Sequence, residues 1–191
     1  MYERTPEEIS EKTLELCRSI VPGCEAPIFI DITPQVGSEA DDCFEIVRRK
    51  TQLEGGRIQF GWAIWEWPRV FIEAEHHAVY VPPLGQSWQD LTPCQRKSRQ
   101  RLFLPDHSAT YDFQNEGFRR DNRRIALSED PDIDELFKAA KKRSEFYNEL
   151  PGVGRIAISE WEAKKFEKIE RRLARATELL AQKYGAQSNR H

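Results

Sequence analysis

Two long extended runs, Arg57–Trp67 and Val70–Val81, stand back to back with only Pro68-Arg69 between them. In the first, Ile58, Phe60, Trp62 and Ile64 alternate with Gln59 and Gly61. In the second, even positions carry Ile72, Ala74, His76, Ala78 and Tyr80, and odd positions carry Glu73, Glu75, His77 and Val79. A period of two is the signature of a strand, because successive side chains leave opposite faces. So short a connection makes the two strands antiparallel neighbours. A chain with such a ribbon must build a sheet around it and cover at least one face.

The flanking segments predict what covers it. Thr5-Pro6-Glu7-Glu8 reads as a capping box with proline at the first helical position, and Ile9, Leu14, Leu16 and Ile20 extend an amphipathic helix to about Val21. Pro22-Gly23 ends it, and Pro27–Ile32 reads as a strand. A second helix is expected from about Glu39 to Leu53, stopped by Gly55-Gly56. After the Pro82-Pro83-Leu84-Gly85 turn comes a short strand over Ser87–Leu91, then a strand at Arg101–Leu104 among loops. Ser128 or Asp130 caps a helix over Asp132–Leu150, ended by Pro151-Gly152. Ser159 caps a last helix over Glu160–Tyr184, closed by Gly185. Helix followed by meander is an antiparallel α+β pattern rather than a βαβ one. The expected division is an α+β domain over residues 1–127 and a C-terminal helical extension over residues 128–191.

Charge excludes some functions. The net value is −3, which implies no strong nucleic-acid field. The sign is uneven: residues 1–91 hold 8 Lys and Arg against 16 Asp and Glu, and the remainder holds 21 against 16. The basic rear half therefore suits an acidic partner. Arg119-Arg120-Asp121-Asn122-Arg123-Arg124 is read as guanidinium groups pairing carboxylates rather than as a nucleic-acid site. The start Met-Tyr-Glu-Arg-Thr-Pro lacks the apolar stretch of a leader, and no run approaches a membrane span. Cys17, Cys24, Cys43 and Cys94 include no CxxC pair. The expectation is a cytoplasmic protein with free thiols, no cofactor and no membrane partner.

Cys43, His77 and Asp90 occur in that order, 34 and 13 residues apart. Cys43 falls in the first turn of a helix, where unpaired N–H groups and the macrodipole favour a thiolate. An imidazole can complete the activation and later protonate a leaving group. It needs a third group to fix its tautomer, which an aspartate on the adjacent strand supplies. The interval from His77 to Asp90 suits two antiparallel strands joined by a turn, with both side chains facing the helix. Tandem histidines on a strand point to opposite faces, so one alone can be the base.

The segment His77-Ala78-Val79-Tyr80-Val81-Pro82-Pro83-Leu84-Gly85-Gln86-Ser87-Trp88-Gln89-Asp90-Leu91-Thr92-Pro93 resembles the transglutaminase-like, papain-related superfamily. There a histidine followed by Ala and an apolar strand leads to a turn, a Trp and an Asp beside Thr and Pro. The likeness covers about residues 39–93. It implies a papain-like core with Cys43 as nucleophile, His77 as base and Asp90 as orienting acid, acting on a peptide or small-molecule amide. Gln35, eight residues before Cys43, takes the place of an oxyanion donor by the same analogy. Asp41-Asp42 stand where the superfamily has Gly or aromatic residues. The chain is also similar to uncharacterised bacterial proteins that carry a Gly-Trp-x-Ile-Trp-Glu-Trp-Pro segment, some with a zinc-binding SEC-C tail whose motif this sequence lacks.

Trp62, Trp65 and Trp67 crowd one strand. Trp62 lies on one strand face and Trp65 and Trp67 on the other; core packing takes one set and the other is expected to line a groove, and Trp62 and Trp65 are assigned, with Glu75, to substrate binding. Glu73, Glu75 and His77 share a strand face that could instead hold a metal with Asp90, but no HxH or HExxH spacing supports it, and no metal is assigned. Two functions follow from these readings: a cysteine hydrolase or acyltransferase, or a silent module of the same fold that uses an aromatic groove or the basic half to bind a partner.

Overall fold

The structure is a computed structural model that describes residues 2–39, 42–83, 85–94, 98–114, 120–150 and 158–185. Leu84 of the proline-rich turn, Ala40 and Asp41 before the cysteine, Arg119 and the Pro151-Gly152 stop lie outside the described residues. The elements in order are α1 (Glu11–Ile20), β1 (Ile28–Ile32), α2 (Cys43–Glu54), β2 (Arg57–Trp67), β3 (Phe71–Val81), β4 (Gln89–Asp90), β5 (Gln100–Pro105), β6 (Arg123–Ala126), α3 (Pro131–Glu149) and α4 (Glu160–Tyr184).

The ribbon forms as its alternation requires, with β2 and β3 paired from Arg57↔Val81 to Trp67↔Phe71. Its two free edges then find each other through the remaining strands. The sheet runs β2-β5-β1-β4-β3, and because β2 also pairs β3 it closes into a small barrel. Closure removes the edges that an open sheet would present. The fold is therefore α+β, with a closed barrel and, among the described residues, four helices. One pair departs from the antiparallel expectation: β1 and β4 are parallel, at Asp31↔Gln89 and Ile32↔Asp90. Nothing in the local sequence signals this, since β1 and β4 are separated by the whole ribbon.

Register fixes which residues face inward. Gly61↔His77, Ala63↔Phe103, Ile30↔Arg101 and Ile32↔Asp90 place His77, Phe103, Arg101 and Asp90 on the inner face. Gly61 stands opposite His77. A Cβ there would meet Phe103 Cζ at 2.5 Å and collide with the Leu104 carbonyl oxygen, so only glycine lets β5 close on β2 at this level. The even residues of β3 face outward. Ala78 and Tyr80 form a core with Ile46, Val47 and Leu91 under α2, and Ala74 and Ile72 form another with Leu16, Cys17 and Trp62 under α1. Each such fully buried aliphatic side chain contributes about 1.5–3 kcal/mol by leaving water.

Beyond β2, the other edge of β3 is shared. β6 pairs residues 71–74, and β4 meets it at Tyr80. Between them, among the described residues, β2 is the only strand neighbour of residues 75–79.

Several local expectations change. The first helix begins at Glu11 with Ser10 as its cap, accepting from Thr13 N at 3.2 Å. The stretch before it is extended instead: Arg4 bridges Glu66, and Thr5 Oγ1 donates to Gln100 O at 3.0 Å. The second helix begins at Cys43 rather than Glu39, with Asp42 as its N-cap at a non-helical φ of −111° and ψ of 30°. β6 was expected to be loop; Arg124 anchors it by donating to Glu73 Oε2 at 2.6 Å.

The last two helices pair as a hairpin, with Asp130 and the Ser159–Glu162 capping box at their starts. Its base is not a separate body: Ile133, Leu136, Ala176 and Leu180 share one core with Trp67, Val70 and Phe71 at the turn of the ribbon. That core crosses the expected boundary at residues 127/128.

Candidate active site

Asp90 is fully buried and Arg101 and His77 nearly so, at 0%, 3% and 4% exposure, which makes them the most enclosed charged cluster in the barrel. His77 Nε2 lies 3.2 Å from Asp90 Oδ1. The same oxygen accepts the Thr92 N–H at 3.0 Å, and Asp90 Oδ2 accepts from Arg101 Nε. Arg101 lies over the Trp65 ring, 4.5 Å from its centroid, and Trp65 Nε1 donates to Glu75 Oε2 at 2.9 Å. A chain of contacts thus runs through the barrel from Glu75 to His77.

Cys43 belongs to the helix layer outside the sheet. It is the first residue of α2, and Ile46 and Val47, one turn on, pack against Ala78 and Tyr80. This sets the cysteine beside the stretch of β3 that has β2 alone as strand neighbour. Burial by itself lowers the affinity of His77 for its proton; the electrostatic influence of Cys43 and the charge and hydrogen bond of Asp90 outweigh it, Arg101 opposes them, and the imidazole is pushed up to about 10. Burial likewise disfavours the Asp90 anion, but His77, Arg101 and the Thr92 N–H hold its carboxyl well below the usual carboxylate range.

The expectation that His77 and Asp90 both face the helix is therefore replaced by another arrangement. They face the barrel interior, while α2 packs on the outer face of β3. Asp42 precedes the N-terminus of that helix without capping it by side chain, and its carboxylate lies 3.5 Å from Arg49. The backbone donors of the first turn are thus not taken by an Asp42 cap.

His76 occupies the outer face, 5.0 Å from the Phe44 ring and 5.4 Å from the Trp62 ring by centroids. Its Nε2 is buried with no hydrogen-bond partner. Burial, the Arg120 charge and the His77 charge lower it to about 4, against a small opposing effect of Asp106. Cys43 has no such hold on it.

Gln35 sits in the loop between β1 and α2, where its N–H donates to Leu91 O at 3.0 Å, next to Asp90 in sequence. Its Oε1 is buried and has no partner among the described residues, and neither has Thr92 Oγ1. Trp62 and Trp65, expected at a groove, are core residues at 4% exposure each: the first packs under α1, the second under the Arg101 guanidinium. Glu75 is half-buried against Trp65. Glu73 and Glu75 are directed to Arg124 and Trp65, and no group of three potential metal ligands forms among the described residues. The basic cluster is structural where it is described, Arg120 donating to Thr110 O at 3.2 Å and Arg124 to Asp121 Oδ1 at 3.2 Å.

A surface hollow of about 600 Å³ lies elsewhere, between Tyr2 and the Leu173–Ala181 face of α4, and none of Cys43, His77 or Asp90 lines it. Arg101 is the site residue that sequence reasoning missed. Its signal was present: in Arg101-Leu102-Phe103-Leu104 an arginine alternates in phase with a buried phenylalanine, which puts it inside.

Comparison with protein-family models, with curated proteins and with solved structures finds no match for this chain. No helix among the described residues is long and apolar enough to cross a membrane.

Proposed function

We propose that this protein is a cysteine-dependent hydrolase or acyltransferase acting on an amide-type bond, with a papain-like, transglutaminase-like arrangement of helix and barrel. The observation that carries the reading is the buried His77–Asp90 contact on a ring that also feels Cys43. With Nε2 committed to Asp90, Nδ1 is the nitrogen left to take the thiol proton. The thiolate attacks the carbonyl carbon, and the carbonyl electrons move onto oxygen. As that intermediate collapses the C–N bond breaks, and the imidazolium delivers its proton to the departing amine. The thioester is released when His77 deprotonates water, or a second nucleophile, which attacks the same carbon and frees the Cys43 thiol. The Cys43 N–H at the start of α2 and the Nε2 amide of Gln35 are the proposed oxyanion donors.

One observation favours a second reading, a silent binding module of the same fold: the thiol is only 6% exposed. A cysteine-directed electrophile separates the two. On the hydrolase reading iodoacetamide labels Cys43 faster than Cys24 and Cys94, whose exposure is greater, and His77→Ala abolishes the difference. Cys17, buried and pushed up to about 12 by that burial, stays unlabelled on either reading. Equal or slower labelling of Cys43 would establish the silent module.

A further inference from the structure

We infer that Arg101 is a positioning residue of this site: its guanidinium holds one oxygen of Asp90 so that the other is aimed at His77, and its positive charge offsets part of the carboxylate charge felt by the ring. The inference rests on the Cys43–His77 reading above and deepens it.

The geometry is that of a fixed fork. Arg101 stands on β5 and Asp90 on β4, with β1 between them, so the two side chains meet across the barrel interior above Ile30 and Ile32. Nε engages Asp90 Oδ2, which leaves Oδ1 for His77 and the Thr92 N–H. The Trp65 ring forms a platform under the guanidinium, and Glu75 pins that ring through its Nε1. Each partner of Asp90 is thus itself held, so the carboxylate has one orientation open to it. An ion pair taken fully out of water is a poor device for stability alone, since apolar residues of similar volume often do as well or better. Placed one residue-contact from a candidate base, it has another use.

Among the described residues, the charged and titratable groups that act on His77 are Cys43 from α2, Asp90 from β4 and Arg101 from β5, while His76, next to it on β3, faces the other way. The neighbours of His77 from β2 and β5, Gly61 and Phe103, are uncharged. Arg101 is therefore the one positive side chain among them apart from the histidines themselves.

The test is the pH profile of Cys43 alkylation by iodoacetamide in the full chain, read by mass spectrometry beside thermal unfolding. Arg101→Met and Arg101→Gln should move the midpoint of the profile up by about one pH unit, because the positive charge that opposes protonation of the His77 ring is gone. Arg101→Lys should restore the parental midpoint but give an alkylation rate several-fold below the parent, because an ammonium lacks the fork that orients the carboxylate. A role in folding alone would change the unfolding temperature and leave midpoint and rate alone. A parental midpoint in either neutral variant overturns the inference, as does a parental rate in Arg101→Lys. If Cys43 in the parent reacts no faster than Cys24, the hydrolase reading falls and this inference with it. A reactive parent with unmoved Arg101 variants sinks this inference alone.

Discussion

The barrel interior and the layer between barrel and α2 meet at β3, where His77 and His76 stand next to each other and face opposite ways. Both lose water on folding. Inside, His77 gains a carboxylate and a thiol and is raised to about 10; outside, His76 gains two aromatic rings and two repelling charges and is lowered to about 4. Burial lowers both histidines, and for His76 it is the largest cause, so by itself it cannot set the two apart. The partners that burial brings with it do.

The largest test of this contrast is Asp90→Asn. It removes the charge that orients His77 and leaves the Arg101 guanidinium buried without its anion. We expect a loss of about 3–5 kcal/mol in denaturant unfolding, as for other broken buried pairs. Any folded fraction should lose about 100-fold or more in Cys43 reactivity. A variant as stable as the parent would mean that the interior pair is solvated. Next come the two histidines. His77→Asn should lower Cys43 alkylation by about 100-fold, whereas His76→Asn should keep it within about threefold. If His76 proves the sensitive one, the two faces of β3 have exchanged roles.

Titration by NMR sharpens the contrast without mutation. The His77 ring should remain protonated at pH 8 and release its proton near 10, while the His76 ring should stay neutral until about 4. The signs for stability are opposite. His77 has its folded value raised, so its contribution is complete below about 6.5, the unfolded value, and is lost as pH rises through 10. His76 has its folded value lowered, so it destabilises progressively as pH falls from about 6.5 to 4. The smallest effect is expected from Glu75→Gln, which keeps an acceptor for Trp65 Nε1 and should cost about 1 kcal/mol or less. A larger loss would make Glu75 part of the charge balance around Asp90.

What was legible in the sequence was whatever repeats locally. Alternation located the ribbon and separated His77 from His76, and caps located α3 and α4. His77 and Asp90 were legible as neighbours because each sat on a strand with its own signature. Closure of the barrel was not, since it depends on β5 reaching β2 and on β1 lying parallel to β4, pairings between residues tens of positions apart. Thr5 misled because a capping pattern can be overruled when the chain before it is drawn to another strand, here through Arg4 and Glu66. Arg101 was overlooked because an arginine is read as surface unless the phase of its neighbours is followed.

Gly61 has a consequence for how this protein tolerates change. It carries no charge, donates through no side chain and touches no substrate in the proposed reaction. Yet any side chain there claims space held by the Phe103 ring, whose centroid lies 6.5 Å from that of His77, and by the Leu104 carbonyl. In a saturation mutagenesis experiment scored by activity, position 61 should therefore behave as if it belonged to the triad. An inventory of the site compiled from such scores would count one residue too many, and a steric vacancy would pass for chemistry.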